Sequence, residues 1–294
     1  MLVAREPTTT NTLLLTAVAR RGLRAELLEP EAAIAGAGPG TVVLGRIDVR
    51  PTLDGPEPGW WELRRLERRG AVVLNRAATL LAAHDKLATA VRLATAGIPH
   101  PATACVYDCR RLPGLKPPVV VKPRFGSWGR DVFRCDTRDE LAACLASVNG
   151  RSWFRNHGAL VQELVPASRF DLRVVVAGGS VVGAVRRVAA PGEWRTNVAL
   201  GGQREGVARI PAGAAALALA AARTIRGDLV GVDLLPVGGG GYVVLEINGA
   251  VDFTVDYSLG GENVFDAAAD ALLARIDREY PKETGAGSAA AVPA

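Results

Sequence analysis

The segment GVDLLPVGGGGYVVLEING, residues 231–249, carries two carboxylates inside otherwise apolar runs. Two β-rich stretches flank four glycines at 238–241, and a hairpin centred there pairs residues whose numbers sum to 479. Asp233 then stands opposite Glu246, and Asn248, two residues on, shares the Glu246 face. Like charges directly opposite on a sheet repel, and a charge in an apolar run is costly unless it is paired or holds a cation. Asp, Glu and Asn offer only oxygen donors, the hard set that suits Mg2+ or Mn2+ and not zinc. Strand ends open to water, or a bulge that shifts the register, are the competing readings.

A second group is cationic. In VVVKPRFGSWGRDV, residues 119–132, Lys122 ends a β-rich run just before a loop carrying Gly126, Ser127 and Gly129. Glycines let backbone N–H groups approach phosphate oxygens, and a lysine at a strand end supplies a point charge. The string lacks a GK[ST] that opens a helix, so it is not a Walker loop, and a plain loop after a strand remains the alternative. Downstream lie Arg173, Arg187, Arg195 and Asn197. Arg173 shares a strand face with Asp171, and an ion pair between these two is expected. Arg187 and Arg195 suit anion binding, because the intervening Pro, Gly and Trp suggest a loop over a cleft.

These side chains need a scaffold. With 294 residues, 49% hydrophobic and 22% charged, the chain reads as globular, which excludes disorder and collagen. Over the first 85 residues short β-rich runs (TVVLGR, AVVLN) alternate with helical patterns, which argues for a small parallel α/β unit. A helix over DKLATAVRLATAG, with an acidic start and a glycine stop, leads into the extended IPHPAT, a natural boundary. Further helices are expected over 137–148, 212–225 and 264–279, and strands over 160–165 and in FDLRVVVAGGSVVGAVRRV, where AGGS makes a hairpin turn. The tail GAGSAAAVPA is too poor in apolar bulk to order itself.

Composition narrows the function. Four cysteines (105, 109, 135, 144) form no CxxC and three histidines (84, 100, 157) form no HExxH, so they read as ordinary thiols and imidazoles, with no zinc site or disulfide framework. The most apolar stretch, 212–222, is mostly alanine and far short of the roughly 20 residues of a membrane span, so no membrane association is expected. The N-terminus lacks a basic n-region and a small-residue cleavage site, so a cytoplasmic protein is expected. A net charge of +5 allows nucleic acid, nucleotide phosphates or an acidic protein as partner. Arg64, Arg65, Arg68 and Arg69, beside Leu63 and Leu66, read as a solvated helix face.

In order, HDKLATAVRLATAGIPHPAT, VVVKPRFGSWGRDV, LVQELV, FDLRVVV, RRVAAPGEWRTNVALGG, GVDLL and LEING resemble the ATP-grasp superfamily, and within it the RimK and LysX type of amino-acid ligase. The resemblance covers about 85–280, and LGRIDVRPTLDG with WWELRRLERRGAVVLN also looks like the LysX side. It implies an α/β (α+β) ATP-grasp fold: an N-terminal parallel α/β domain (1–85), a central subdomain with the glycine loop (86–165), a C-terminal subdomain with the metal site (166–284) and a disordered tail (285–294). The two α+β subdomains would enclose ATP, and homo-oligomers, dimers or tetramers, are common among such proteins.

The resemblance also assigns roles. Lys86 and Lys122 would contact nucleotide phosphates, with Gly126, Ser127 and Gly129 in the lid. Glu163 and Leu164 would meet the adenine, and Asp171 another part of the nucleotide. Arg195 and Asn197, in WRTN, match a segment near phosphates and substrate; Arg187 would stabilise the transferring phosphoryl group. Asp233, Glu246 and Asn248 match the metal ligands, so ATP and Mg2+, or Mn2+, are the implied cofactors. Departures are GSWGRD, where Trp128 and Asp131 replace a GxxGxGV-like lid, and NGAVDFTVDYSLGG, where RimK-like members often have NxSPG.

The implied reaction joins a carboxylate to an amine through an acylphosphate, releasing ADP and phosphate. The expected substrates are an amino acid, glutamate or α-aminoadipate, and the C-terminal glutamate of a small acidic carrier protein; the basic chain suits that partner better than nucleic acid. A peptide or small-molecule acceptor from secondary metabolism is the alternative. A non-catalytic ATP-binding module would show a broken metal trio or a missing lysine, and neither is seen. A nicotinamide enzyme would need GxGxxG, and AGAGPG lacks its last glycine.

Overall fold

The computed structural model describes residues 1–166 and 168–280, so the tail expected at 285–294 lies outside the described residues. The N-terminal layer is a parallel sheet of β1 (Leu2–Val3), β2 (Leu27–Leu28), β3 (Val42–Gly45) and β4 (Val72–Leu74), in the order β2-β1-β3-β4. It is connected through α1 (Thr9–Ala19), α2 (Pro30–Gly36) and α3 (Trp60–Arg68). Helix α1 starts where the Thr8 hydroxyl accepts the Asn11 N–H. Helix α3 buries Leu63 and Leu66 and leaves its arginines exposed, as its spacing requires.

A helix that the sequence pattern does not announce follows: α4 (Ala77–His84). Six of its eight residues are buried, so it has no polar face to reveal its period. Next come α5 (Lys86–Thr95), β5 (Thr103–Val106), β6 (Val119–Pro123), β7 (Phe133–Cys135), α6 (Arg138–Val148), α7 (Ser152–His157) and β8 (Ala159–Glu163). Their sheet is antiparallel, in the order β5-β8-β6-β7. Alternation on β6 decides its two faces: Val119 and Val121 join Leu141, Leu145 and Trp153 in a core, while Val120 and Lys122 turn toward a cleft.

The largest sheet is antiparallel and contains β9 (Phe170–Ala177), β10 (Ser180–Val188), β11 (Gln203–Gly206), β12 (Leu229–Pro236) and β13 (Tyr242–Asn248), ordered β11-β10-β9-β12-β13. Helix α8 (Ala212–Thr224) lies between β11 and β12, and α9 (Val264–Glu279) closes the described chain. The β9–β10 turn uses Gly178 and Gly179, both at positive φ, and a Cβ on Gly178 would lie 2.0 Å from the Ala271 carbonyl oxygen. One face of this sheet packs Val174, Val176, Val230 and Val232 against the alanines of α8. The other buries Val175, Ala177, Val185 and Leu229 against α1 and α9. Among the described residues no helix is long and apolar enough to cross a membrane.

Asn75 joins the N-terminal layer to the large sheet. It sits at φ 48°, a left-handed conformation that asparagine tolerates better than most residues. Its Nδ2 donates to the Leu229 and Gly249 carbonyls at 2.6 and 3.1 Å, its Oδ1 accepts the Asp228 N–H at 2.9 Å, and its own N–H reaches Asp228 Oδ2 at 2.7 Å. All of these groups are buried, so each bond avoids a desolvation penalty of about 1–3 kcal/mol.

Candidate active site

Between the two antiparallel sheets opens a cleft with a cavity volume of about 130 Å3. Its floor is the charged half of the face on which Val175 and Ala177 also lie. The register puts Asp233 opposite Glu246 on β13 and opposite Arg173 on β9, and pairs Arg187 with Asp171. The pairs next to the turn, Pro236–Tyr242, Leu235–Val243 and Leu234–Val244, depart by one residue from the expected register, and a bulge between Leu234 and Asp233 restores it, so that Asp233 faces Glu246 and not Leu245.

Arginines on the neighbouring strands neutralise this pair. Arg173 donates to both Asp233 oxygens at 2.7 Å, and Arg187 Nη2 reaches Asp233 Oδ2 at 2.8 Å. The expected Arg173–Asp171 ion pair is therefore corrected: Arg173 holds Asp233, and Asp171 holds Arg187, whose Nε donates to Asp171 Oδ1 at 2.7 Å. Residues two apart on a strand are nearly 7 Å apart, whereas cross-strand partners lie about 4.5–5.5 Å apart, so the register chooses the partner. Burial alone would raise the Asp233 pKa; the Arg173 and Arg187 guanidiniums outweigh it and hold the carboxyl well below its usual range.

The second wall supplies lysines. Asp85 caps α5 by accepting the Leu87 and Ala88 N–H groups and also binds Arg124, which fixes Lys86 at the first helical position. Lys86 Nζ lies 3.1 Å from Glu246 Oε2 and donates to the Gly126 carbonyl at 2.6 Å, linking the glycine loop to the carboxylates. Lys122 Nζ donates to Gln162 Oε1 at 2.7 Å, and Gln162 in turn donates to Thr103. Burial pushes the Lys122 pKa down to about 8, against the opposing pull of Glu246.

The loops complete the enclosure. Ser127 Oγ is buried in the cleft wall without a hydrogen-bond partner among the described residues, a donor available to an incoming acceptor. Gly129, at φ 70°, packs on the WRTN segment so closely that a Cβ would lie 2.8 Å from Asn197 Oδ1. Arg195 Nη1 donates to the Gly129 carbonyl at 3.1 Å and to that of Val132 at 3.3 Å, while Glu193 binds its guanidinium. That contact draws the Glu193 pKa down to about 2. Asp131 braces the loop from behind through Arg151 and Trp153 Nε1, the latter at 2.8 Å.

Of the residues singled out in the sequence, Lys86, Lys122, Gly126, Ser127, Gly129, Glu163 and Leu164 line the cleft. So do Asp171, Arg187, Arg195, Asn197, Asp233 and Glu246. Asn248 stands one step behind, with its Nδ2 3.5 Å from Asp233 Oδ2. Asp171 is fully buried and spends its oxygens on Arg187 and Thr196. Sequence reasoning missed Arg173 as a site cation, and also Gln162, Glu193 and Thr196. Strand alternation places Gln162 on the Lys122 side of its sheet, a signal the sequence did contain.

The cleft is thus lined by six cations (Lys86, Lys122, Arg130, Arg169, Arg187, Arg195) against four carboxylates (Glu163, Asp171, Asp233, Glu246), leaving an excess of positive charge for an anion. Among the described residues no three His, Cys, Asp or Glu side chains form a ready metal cage. Two carboxylates and an amide fit a hard divalent ion whose other ligands come from phosphates and water.

The model of the RimK-like ATP-grasp domain matches residues 83–265. The ribosomal protein bS6–L-glutamate ligase of Escherichia coli is 34% identical over 192 residues, 63% of this chain and 62% of that protein. The α-aminoadipate–LysW ligase LysX of Saccharolobus solfataricus is 31% identical over 203 residues, 68% of this chain and 73% of that protein. A RimK-domain ATP-grasp protein of Sphaerobacter thermophilus shares the fold, with a TM-score of 0.67 at 24% identity over 92% of this chain and 99% of that one. Together with the cleft between two antiparallel sheets, these similarities identify the chain as a member of the RimK-like ATP-grasp family, ATP-dependent carboxylate–amine ligases that work with a divalent metal.

Proposed function

We propose that this protein uses ATP to activate the C-terminal glutamate of a small acidic carrier protein and joins it to the amine of an amino acid, glutamate or α-aminoadipate. The observation that carries the reading is the Asp233–Glu246 pair set face to face within reach of Lys86, Arg173 and Arg187, in a cleft with surplus positive charge. Two relatives whose names give a protein or LysW as the acceptor support the choice of acceptor.

Asp233, Glu246 and Asn248 would hold Mg2+, whose chemistry is to neutralise phosphate oxygens. Lys122 and Lys86 bind anionic oxygen from one wall, and Ser127 Oγ offers a donor beside them. Arg187, kept charged and oriented by Asp171, faces the cleft where phosphoryl charge would develop, and Arg195 ties the glycine loop down over it. Closing that loop would exclude water, which an acylphosphate requires. Glu163 and Leu164 leave the second sheet at the cleft rim, where an adenine would meet their backbone. No side chain has to act as a covalent nucleophile.

The test is to supply ATP, Mg2+, each amino acid and a short acidic protein ending in glutamate, and to follow nucleotide products. ADP and phosphate released only when both co-substrates are present would support the reading; AMP, or turnover without the carrier, would overturn it.

A further inference from the structure

A second, larger cleft lies at the other end of the β9 and β12 strands. It is bordered by the β9–β10 turn at Gly179 and by Ile225–Asp228 ahead of β12, whereas the candidate active site uses the start of β9 and the middle of β12. Its volume is about 880 Å3, at the upper end of the roughly 300–1,000 Å3 usual for small-molecule sites.

Six arginines line it: Arg64, Arg76 and Arg92 from the N-terminal side, and Arg223, Arg226 and Arg275 from the large-sheet side. Three carboxylates share the cleft, and each is already engaged. Glu67 pairs with Arg64 and accepts the Ala77 N–H; Asp228 and Glu279 pair with Arg275. Among the described residues Arg76, Arg92, Arg223 and Arg226 have no carboxylate partner, although all four are exposed. Like charges gathered on a concave surface raise its potential, most at low ionic strength, and that favours a polyanionic ligand.

The walls are also held in place. The Asn75–Asp228 bonds pin one side of the cleft to the other. The Thr79 hydroxyl donates to the Arg226 carbonyl at 3.2 Å, and Arg92 Nη1 donates to the Thr224 carbonyl at 3.3 Å. Arg226 itself holds φ 55°, a conformation in which glycine or asparagine would cost less. A preformed junction spares the backbone, though not the arginine side chains, the ordering cost of binding.

We propose that this cleft docks an acidic polypeptide segment of a partner protein, at a site separate from the ligase centre. The spread of arginines without carboxylate partners over both walls favours an extended chain of carboxylates over a single phosphorylated metabolite. The inference stands independently of which acceptor the ligase uses.

The experiment measures binding of fluorescent poly-L-glutamate to the full chain by anisotropy at low ionic strength. The double variant R76E/R223E should bind at least tenfold more weakly while keeping its thermal midpoint and its ATP turnover. R110E/R134E, with the same charge change at exposed positions outside the cleft, should bind as the parent does. Equal losses in both variants, or no loss in R76E/R223E, would overturn the proposal. So would displacement of the probe by tripolyphosphate at a lower concentration of charge than by unlabelled poly-L-glutamate.

Discussion

Along β9 the residues that alternate onto one face are Asp171, Arg173, Val175 and Ala177. The first two lie in the candidate active site, and the last two lie under α1 and α9. The same split runs across the sheet: Arg187 against Val185 on β10, Asp233 against Leu229 on β12. Apart from one register shift in each of the β9–β10 and β12–β13 ladders, backbone pairing runs through both halves, so the difference is carried by side chains. Where neighbouring helices cover the face, apolar groups stabilise by leaving water. Where two sheets stand apart, charges are tolerated because each has a cross-strand partner, and their surplus is available to a ligand.

The comparison can be broken most sharply at Glu246. Glu246→Ala removes one carboxylate from the cleft but no core contact, so turnover should fall by a factor on the order of a thousand while the urea midpoint stays close to that of the parent. Retained metal-dependent turnover would contradict the role given to the hairpin. The next test sets one residue from each half side by side. Arg187→Ala leaves the buried Asp171 and Asp233 short of a partner and should cost about 3–5 kcal/mol of stability together with activity. Val175→Ala only thins the covered half and should cost about 2 kcal/mol, with ATP affinity unchanged. If both lowered stability alone and equally, the division of the face would have no functional meaning.

A smaller effect concerns Lys122. Burial lowers its pKa to about 8, so its ammonium is present below that pH and lost as pH rises through it. ATP affinity should weaken a few-fold between pH 7 and 9, and Lys122→Met should flatten that profile at a uniformly weaker level. An unchanged slope in the variant would move the titrating group elsewhere.

Much of this was legible along the chain. The four glycines at 238–241 mark the β12–β13 hairpin, but its register at the turn alone would set Asp233 against Leu245, and the bulge that brings Glu246 opposite it was not legible along the chain. The run VVVKP exposed a lysine at the end of a buried strand, and the caps at Thr8, Asp85, Thr137 and Asn263 mark helix starts by local bonds alone. Helix α4 was hidden because burial on nearly all sides erases periodicity.

The sequence by itself determined the oxygen-donor trio, the lysine and the order of motifs that marks the family, since each depends on residues close in the chain. Only the tertiary structure decided who neutralises whom. Arg173 meets Asp233 across 60 positions and Lys86 meets Glu246 from the first turn of helix α5, and such pairings follow from strand order and from the packing of α5 on β13. The arginine cleft behind the large sheet was equally invisible: its cations are scattered from Arg64 to Arg275, and they share a surface only because Asn75 and Asp228 lock two layers together.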